Sequence, residues 1–257
     1  MTPDSPFDLD QPIEIIAHRG YSARAPENTI AALLLALDAG ATAVEFDLHT
    51  TTDGIPVLLH DETLDRTTDG QGEITAIPAR DLTGLDAGSW FDHAFADEPL
   101  PTLAAALDAI RSRVTTVFCE VKGVRAISDV QNVVAVTRDA DLLDRTVFIS
   151  MNWALLDAVR AHAPEALIGP IVEHEERIDS AFARVADDPR SLLDFDARIL
   201  LAQSTLTERA DALGVPLAVW TVDQVDQASR LLELGVRRIT TNQVGRMLAW
   251  AETISSQ

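Results

Sequence analysis

The sequence predicts an α/β fold, a (β/α)8 TIM-type barrel with a small inserted subdomain after the hairpin of its second strand. Three observations predict it. Eight short β-branched or aliphatic runs recur along the chain, and most are continuous rather than alternating, as strands buried on both faces require. Helical patterns fill most intervals between them, the order expected of parallel strands linked by helices. The length of 257 residues suits one such barrel or two small domains, and no linker divides the chain.

The first strand is IEIIAH (13–18). A helix follows over 29–40, with Asn28 or Thr29 as N-cap and Gly40 as its stop. AVEFDL (43–48) is the second strand. IPVLLHD (55–61) would make a ninth, but Asp53-Gly54 before it is a strong two-residue turn signal. That turn makes the run an antiparallel return arm above the barrel rim, pairing Thr52 with Ile55 and therefore Asp47 with His60. From Asp61 to about Pro101 the periodicity gives way to Gly-, Asp- and Thr-rich sequence too long for a plain loop, which is expected to form the inserted subdomain. Residues 1–257 then read as one barrel domain with an insertion at about 61–101.

Beyond it, strands are expected at TTVFCEV (115–121), TVFIS (146–150), LIGPIV (167–172), RILLA (198–202), PLAVWTV (216–222) and RRITT (237–241). Helices are expected over 102–112, 154–164, 206–214 and 224–235. A helix end in Leu-Gly followed at once by Val recurs at Leu213-Gly214-Val215 and Leu234-Gly235-Val236, a weak repetition of the strand–helix unit.

The formal net charge of −21 argues against nucleic acid or an anionic membrane as partner. An anionic substrate must therefore be attracted locally, by a metal ion or a few placed cations. The single cysteine, Cys119, excludes an internal disulfide and a cysteine zinc site, and its place in a strand marks it as a core residue. The N-terminal MTPDSPFDLDQP has neither a basic nor an apolar leader region, and no apolar run is long enough to cross a bilayer. A soluble, cytoplasmic protein without stable membrane association is expected; the oligomeric state is left open.

In barrels of this type catalytic groups stand at the C-terminal ends of strands. Those ends carry His18-Arg19-Gly20, Glu45-Phe46-Asp47, Glu120-Val121-Lys122 and Trp220-Thr221, and the return arm adds His60-Asp61. The period of two places Glu45 with Asp47, and Glu120 with Lys122, on common faces. Three carboxylates converging in a partly dry site repel one another unless a cation lies between them, and oxygen ligands suit a hard divalent ion. Two histidines supply groups that exchange protons near neutral pH, and Arg19 and Lys122 supply the positive charge that the chain otherwise lacks. Together they suit cleavage of a phosphodiester. Each piece has a plainer reading: a strand-end histidine as a hydrogen-bonded structural residue, Glu45 and Asp47 as partners of Arg19 and Lys122, Glu120 with Lys122 as an exposed pair, Trp220 as core. His49, His93, His162 and His174 keep that plainer reading.

The stretches AHRGYSARAPENTIAAL, VEFDLHTTTDGIPVLLHDETLDRTTDGQG, LDAGSWF, LPTLAAAL, CEVKG and VWTV resemble the glycerophosphodiester phosphodiesterase family, in order along nearly the whole chain and most densely over 16–122. The resemblance implies a (β/α)8 barrel with an insertion, and metal-dependent hydrolysis of small-molecule glycerophosphodiesters to sn-glycerol 3-phosphate and an alcohol. It implies Glu45, Asp47 and Glu120 as ligands of one divalent ion, Mg2+ or Ca2+, and His18 and His60 as the acid/base pair. Arg19 and Lys122 match phosphate-contacting positions, Trp220 is a further substrate-binding candidate, and Glu27 would brace Arg19 or stand behind the metal ligands. In one version of the family chemistry the neighbouring glycerol hydroxyl attacks phosphorus and water opens the cyclic phosphate. Two positions depart from the family pattern, Asn242 where Thr-Asp is common and Met151 where Ser-Phe is common; both are expected near the rim, away from the catalytic positions. An alternative is a related phosphodiesterase acting on a lipid, lysophospholipase D-like or phospholipase C-like, landing on Leu82, Leu85, Trp90, Phe91 and Phe95. A third reading is a catalytically silent binding barrel.

Overall fold

In the computed structural model, which describes Phe7 and residues 12–255, strand β1 (Glu14–Ala17) pairs in parallel on both sides, with β2 (Ala43–Thr50) and with β9 (Arg238–Thr241). Between β2 and β9 the parallel ladder runs through β4 (Thr116–Gly123), β5 (Thr146–Ser150), β6 (Leu167–Val172), β7 (Leu193–Asp196) and β8 (Leu217–Trp220). The two pairings of β1 close the sheet into the expected eight-stranded barrel. The N-terminal stretch read for a leader lies outside the described residues, apart from Phe7 and Pro12. Among the described residues no helix is long and apolar enough to cross a membrane.

Alternation along each strand sorts side chains between two apolar layers. Ile16, Ala43, Phe118, Val147, Ile149, Ile171 and Ala218 fill the barrel interior, with Phe7 packed among them. The intervening residues, such as Val44, Phe46, Val117, Cys119 and Phe148, face helices outside. On the far side Phe195 and Val219 do the same, with Phe182 and Trp250 from the helices. Each large side chain buried this way contributes about 1.5–3 kcal/mol. The outer ring is α1 (Ile30–Asp38), α2 (Leu103–Ile110), α3 (Val130–Asp139), α4 (Trp153–His162), α5 (Ile178–Val185), α6 (Ala197–Ala202), α7 (Thr205–Leu213), α8 (Val225–Glu233) and α9 (Val244–Ser255). Sequence reading passed over α3, α5 and α9, although α5 buries Ile178, Ala181, Phe182 and Val185 at helical spacing. Thr29, not Asn28, caps α1, its hydroxyl accepting from the Ala32 N–H.

Two expectations are corrected. The run 198–202, expected as a strand, lies in helix α6, capped by Asp196, whose carboxylate accepts from the Arg198 N–H. The barrel strand is the preceding Leu-Asp-Phe-Asp of β7. A short apolar run does not distinguish strand from helix, and two aspartates disguised the real strand.

The hairpin is also one residue out of the expected register. The return arm β3 (Pro56–Leu58) pairs Leu48 with Leu58 and Thr50 with Pro56, and the Leu59 N–H donates to Asp47 O, so Asp47 opposes Leu59 rather than His60. The turn spans Thr51–Gly54, closed by Gly54 N–H to Thr51 O, with Gly54 at φ +75° and Ile55 N–H bonded to Thr51 Oγ1. That is a three-residue loop with glycine in the left-handed position, the next most common hairpin connection after the two-residue turn.

Residues 61–101 fold onto β3 through short 3-10 turns at Ile74–Ala76, Ala79–Leu82 and His93–Phe95. They form a small apolar cluster of Leu64, Ile74 and Leu82 with Val57 and Leu59 of the return arm.

Candidate active site

The end of β1 turns through two left-handed residues, Arg19 at φ 55° and Gly20 at φ 78°. A Cβ on Gly20 would sit 2.5 Å from the Ala32 carbonyl carbon, so only glycine lets the turn press against α1. The turn aims the Arg19 N–H at Glu45 Oε2, 2.9 Å away, and brings its Nε within 3.0 Å of Asp47 Oδ2.

Glu45 and Asp47 lie on the inner face of β2, and Glu120 is in register with Asp47 on β4. All three are buried, and each offers a carboxylate oxygen within 4.8 Å of the others. Glu45 Oε1 and Asp47 Oδ1 have no hydrogen-bond partner among the described residues. Burial, then the charges of Asp47 and Glu120, pushes the Glu45 carboxyl well above its ordinary range. Burial and Asp47 raise Glu120 to about 8. Burial would raise Asp47 as well, but Arg19 and Lys122 outweigh it and hold it at about 2. Orphaned, mutually repelling carboxylate oxygens pointing at one another fit a hard cation with oxygen ligands.

The plainer reading of these residues is partly realised too, since Lys122 Nζ lies 3.1 Å from Glu120 Oε1 and 3.8 Å from Asp47 Oδ1. Arg19 Nη1 donates to Glu27 Oε1 at 2.8 Å. Glu27 in turn accepts from both Nη atoms of Arg66, and Arg66 grips Asp61 through Nε (2.7 Å) and Nη2 (3.0 Å). Asp61 Oδ1 is 2.7 Å from Nδ1 of His60. An unbroken chain of ion pairs thus runs from Asp47 through Arg19, Glu27 and Arg66 to Asp61, and a hydrogen bond continues it to His60. The carbonyl of His60 is also fixed, 3.1 Å from Nε2 of the buried His49.

His18 has a different partner. Its Nδ1 is 2.7 Å from Asn242 Oδ1. Asp223 sets which way that amide faces: its carboxylate only accepts, and it takes the Asn242 Nδ2–H at 2.8 Å, the Asn242 backbone N–H at 2.8 Å and the Thr241 hydroxyl at 2.9 Å. The amide oxygen is left facing His18, so His18 Nδ1 is the donor and Nε2 holds the lone pair, 3.9 Å from Glu45 Oε2. Burial, and then Arg19, lower the His18 pKa to about 4, so the ring is neutral at neutral pH.

His18, Arg19, Glu45, His60, Glu120 and Lys122 line one cavity at the barrel mouth. Trp220 and Met151 line it as well; Asp47 lies just beneath, fully buried, and Glu27 stands behind Arg19. The register slip leaves His60 at this cavity because it lies beyond the paired part of the arm. Sequence reasoning missed Asn28, whose Nδ2 donates to Asp47 Oδ2 at 2.9 Å while its Oδ1 accepts from the Asp47 N–H at 3.0 Å. It missed Arg66 and Asp223, and set Asn242 aside as a rim position although it touches His18. The only signal for Asn28 was its place in Pro26-Glu27-Asn28-Thr29, where a capping role absorbed it.

Residues 18–246 match the profile of the glycerophosphoryl diester phosphodiesterase family. A glycerophosphodiester phosphodiesterase of Caldanaerobacter subterraneus subsp. tengcongensis is 33% identical over 230 residues, 89% of this chain and 93% of that protein. A probable glycerophosphodiester phosphodiesterase 1 of Mycobacterium tuberculosis is 32% identical over 93% of this chain and 92% of its own length. A solved phosphodiesterase of Oleispira antarctica, in complex with the product sn-glycerol-3-phosphate, superposes with a TM-score of 0.82 at 29% identity, covering 93% of this chain and 96% of that one. The chain therefore belongs to the glycerophosphoryl diester phosphodiesterase family, a family of phosphoric diester hydrolases.

Proposed function

We propose that this protein hydrolyses glycerophosphodiesters to sn-glycerol 3-phosphate and an alcohol, using one divalent cation held by Glu45, Asp47 and Glu120. The observation that carries this reading is the trio of buried carboxylates within 4.8 Å of one another, two of them with an oxygen that accepts no hydrogen bond among the described residues, set between two imidazoles and two cationic side chains. When bound, a divalent ion would supply Lewis-acid neutralisation of phosphoryl charge. Arg19 and Lys122 flank the carboxylates and present their donors to the phosphate. His18, neutral and with its Nε2 lone pair free, takes the proton of the attacking hydroxyl. His60 then delivers a proton to the leaving alkoxide, its ring oriented by Asp61. Water opens the cyclic phosphate formed by the glycerol hydroxyl, with the two histidines' roles exchanged, giving sn-glycerol 3-phosphate.

Within one barrel domain spanning 1–257, the segment 61–101 serves this site by carrying Arg66 to the rim, where it holds both Glu27 and Asp61. Of the residues that the lipid reading needs, Leu82 is buried in the segment's own cluster and Leu85 packs against it, whereas Trp90 is exposed, so lysolipid hydrolysis is an arm of the test. The test is release of sn-glycerol 3-phosphate from glycerophosphodiesters with choline, ethanolamine and glycerol headgroups, after chelation and after return of Mg2+ or Ca2+. Metal-restored release supports the proposal. No release with any substrate and either ion, or hydrolysis of lysolipids alone, overturns it.

A further inference from the structure

The cavity has a second wall that the proposed chemistry leaves unused. β7 lies four strands round the barrel from β2, and β8 four strands from β4, so these strands face the carboxylate trio across the mouth. Asp194 of β7 and Trp220 of β8 both line the cavity, beside Ile149, Ile171 and Met151. Leu193 and Phe195 turn outward to the helix layer, which leaves Asp194 on the inner face.

Asp194 is only 2% exposed, and among the described residues no hydrogen bond or ion pair reaches its Oδ1. The indole Nε1–H of Trp220 is likewise buried without a partner. Two orphaned polar groups in a wall shared with Ile149, Ile171, Met151, Thr221 and Thr240 are costly unless something entering the cavity satisfies them. Burial, with no neighbouring charge to oppose it, raises Asp194 to about 8, so its carboxyl is neutral near neutral pH. A neutral carboxyl both donates and accepts, and an indole only donates. A hydroxyl, itself donor and acceptor, complements that pair.

We propose that Asp194 and the Trp220 indole form a hydroxyl-recognition subsite that holds the glycerol end of the substrate across the cavity from the three carboxylates. The subsite rests on the reading of the protein as a glycerophosphodiesterase, and direct binding separates the two. The metal-loaded protein is titrated calorimetrically with sn-glycerol 3-phosphate and with inorganic phosphate, as wild type and as Asp194→Leu, Asp194→Ala and Asp194→Asn. The expected result is about 10-fold weaker binding of sn-glycerol 3-phosphate in the Leu and Ala variants. Phosphate binding stays unchanged, and Asn, which keeps a donor and an acceptor, stays near wild type. Turnover should follow, with KM rising for glycerophosphodiesters. Equal weakening for both titrants, or for neither, overturns the subsite. So does a loss confined to choline and ethanolamine diesters. A wild type that shows the Asp194-dependent difference in binding but cleaves no glycerophosphodiester would overturn the activity and leave the subsite standing.

Discussion

Asn28 does two jobs that substitution can separate. Its amide bonds both the carboxylate and the backbone N–H of Asp47, at 2.9 and 3.0 Å, and its backbone sits in the left-handed region at φ 58°. Asn28 is 3% exposed, so water does not readily replace it. A hydrogen bond to a charged group is worth about 1.5–3 kcal/mol, and a buried N–H left unpaired costs about 1–3 kcal/mol. Asn28→Gly removes both bonds but accepts the backbone, and should lose about 3–5 kcal/mol. Asn28→Ala loses the same bonds and adds the left-handed penalty, roughly 1 kcal/mol more. The measurement is urea unfolding in the presence of a chelator, followed by tryptophan fluorescence. The order wild type, Gly, Ala in falling stability is required. Equal stability of the two variants would refute the backbone argument, and losses under about 0.5 kcal/mol in both would refute the hydrogen-bond argument.

Four other outcomes follow from the same geometry. His18→Ala and His60→Ala should each lower kcat by about 10²–10⁴ with the fold intact by circular dichroism; near-normal turnover removes that histidine from the mechanism. Arg66→Ala should lower kcat/KM by about 10–100-fold through loss of its grip on Asp61 and Glu27, with little change in unfolding midpoint because the side chain is partly exposed. Asn242→Ala frees the His18 ring; nitrogen NMR should then show Nε2–H tautomer where the parent shows only Nδ1–H, with kcat about 10–100-fold lower. The Glu120 carboxyl, raised to about 8, holds a proton at neutral pH in the cation-free protein, so cation binding must displace it. Affinity for Mg2+ or Ca2+ should therefore fall as pH drops below about 8, and calorimetry at pH 7 in buffers of different ionisation enthalpy should detect proton release. Binding without release contradicts the protonation assigned to Glu120.

What was legible locally was legible because strand periodicity is local. A period of two set Glu45 and Asp47 on one face of β2 and Glu120 with Lys122 on one face of β4, and a barrel of parallel strands brings such ends to one rim. Turn chemistry was legible only in part. Asp53-Gly54 announced the hairpin, but the Thr51 hydroxyl bond to Ile55 and the left-handed Gly54 decided the loop length, and one residue of loop shifted every pairing. RILLA shows the limit of a short apolar run, for the strand lay in the aspartate-bearing segment beside it.

The sequence by itself determined the strand–helix alternation, the inward acidic residues and the family. Tertiary structure alone decided how those residues are held and paired. Asn242 reaches His18 across 224 residues of sequence, Arg66 reaches Glu27 across 39, and Asp194 meets the cavity only because the sheet closes. Contacts at such separation leave no periodic trace, since they arise from barrel closure rather than from the conformation of neighbouring residues.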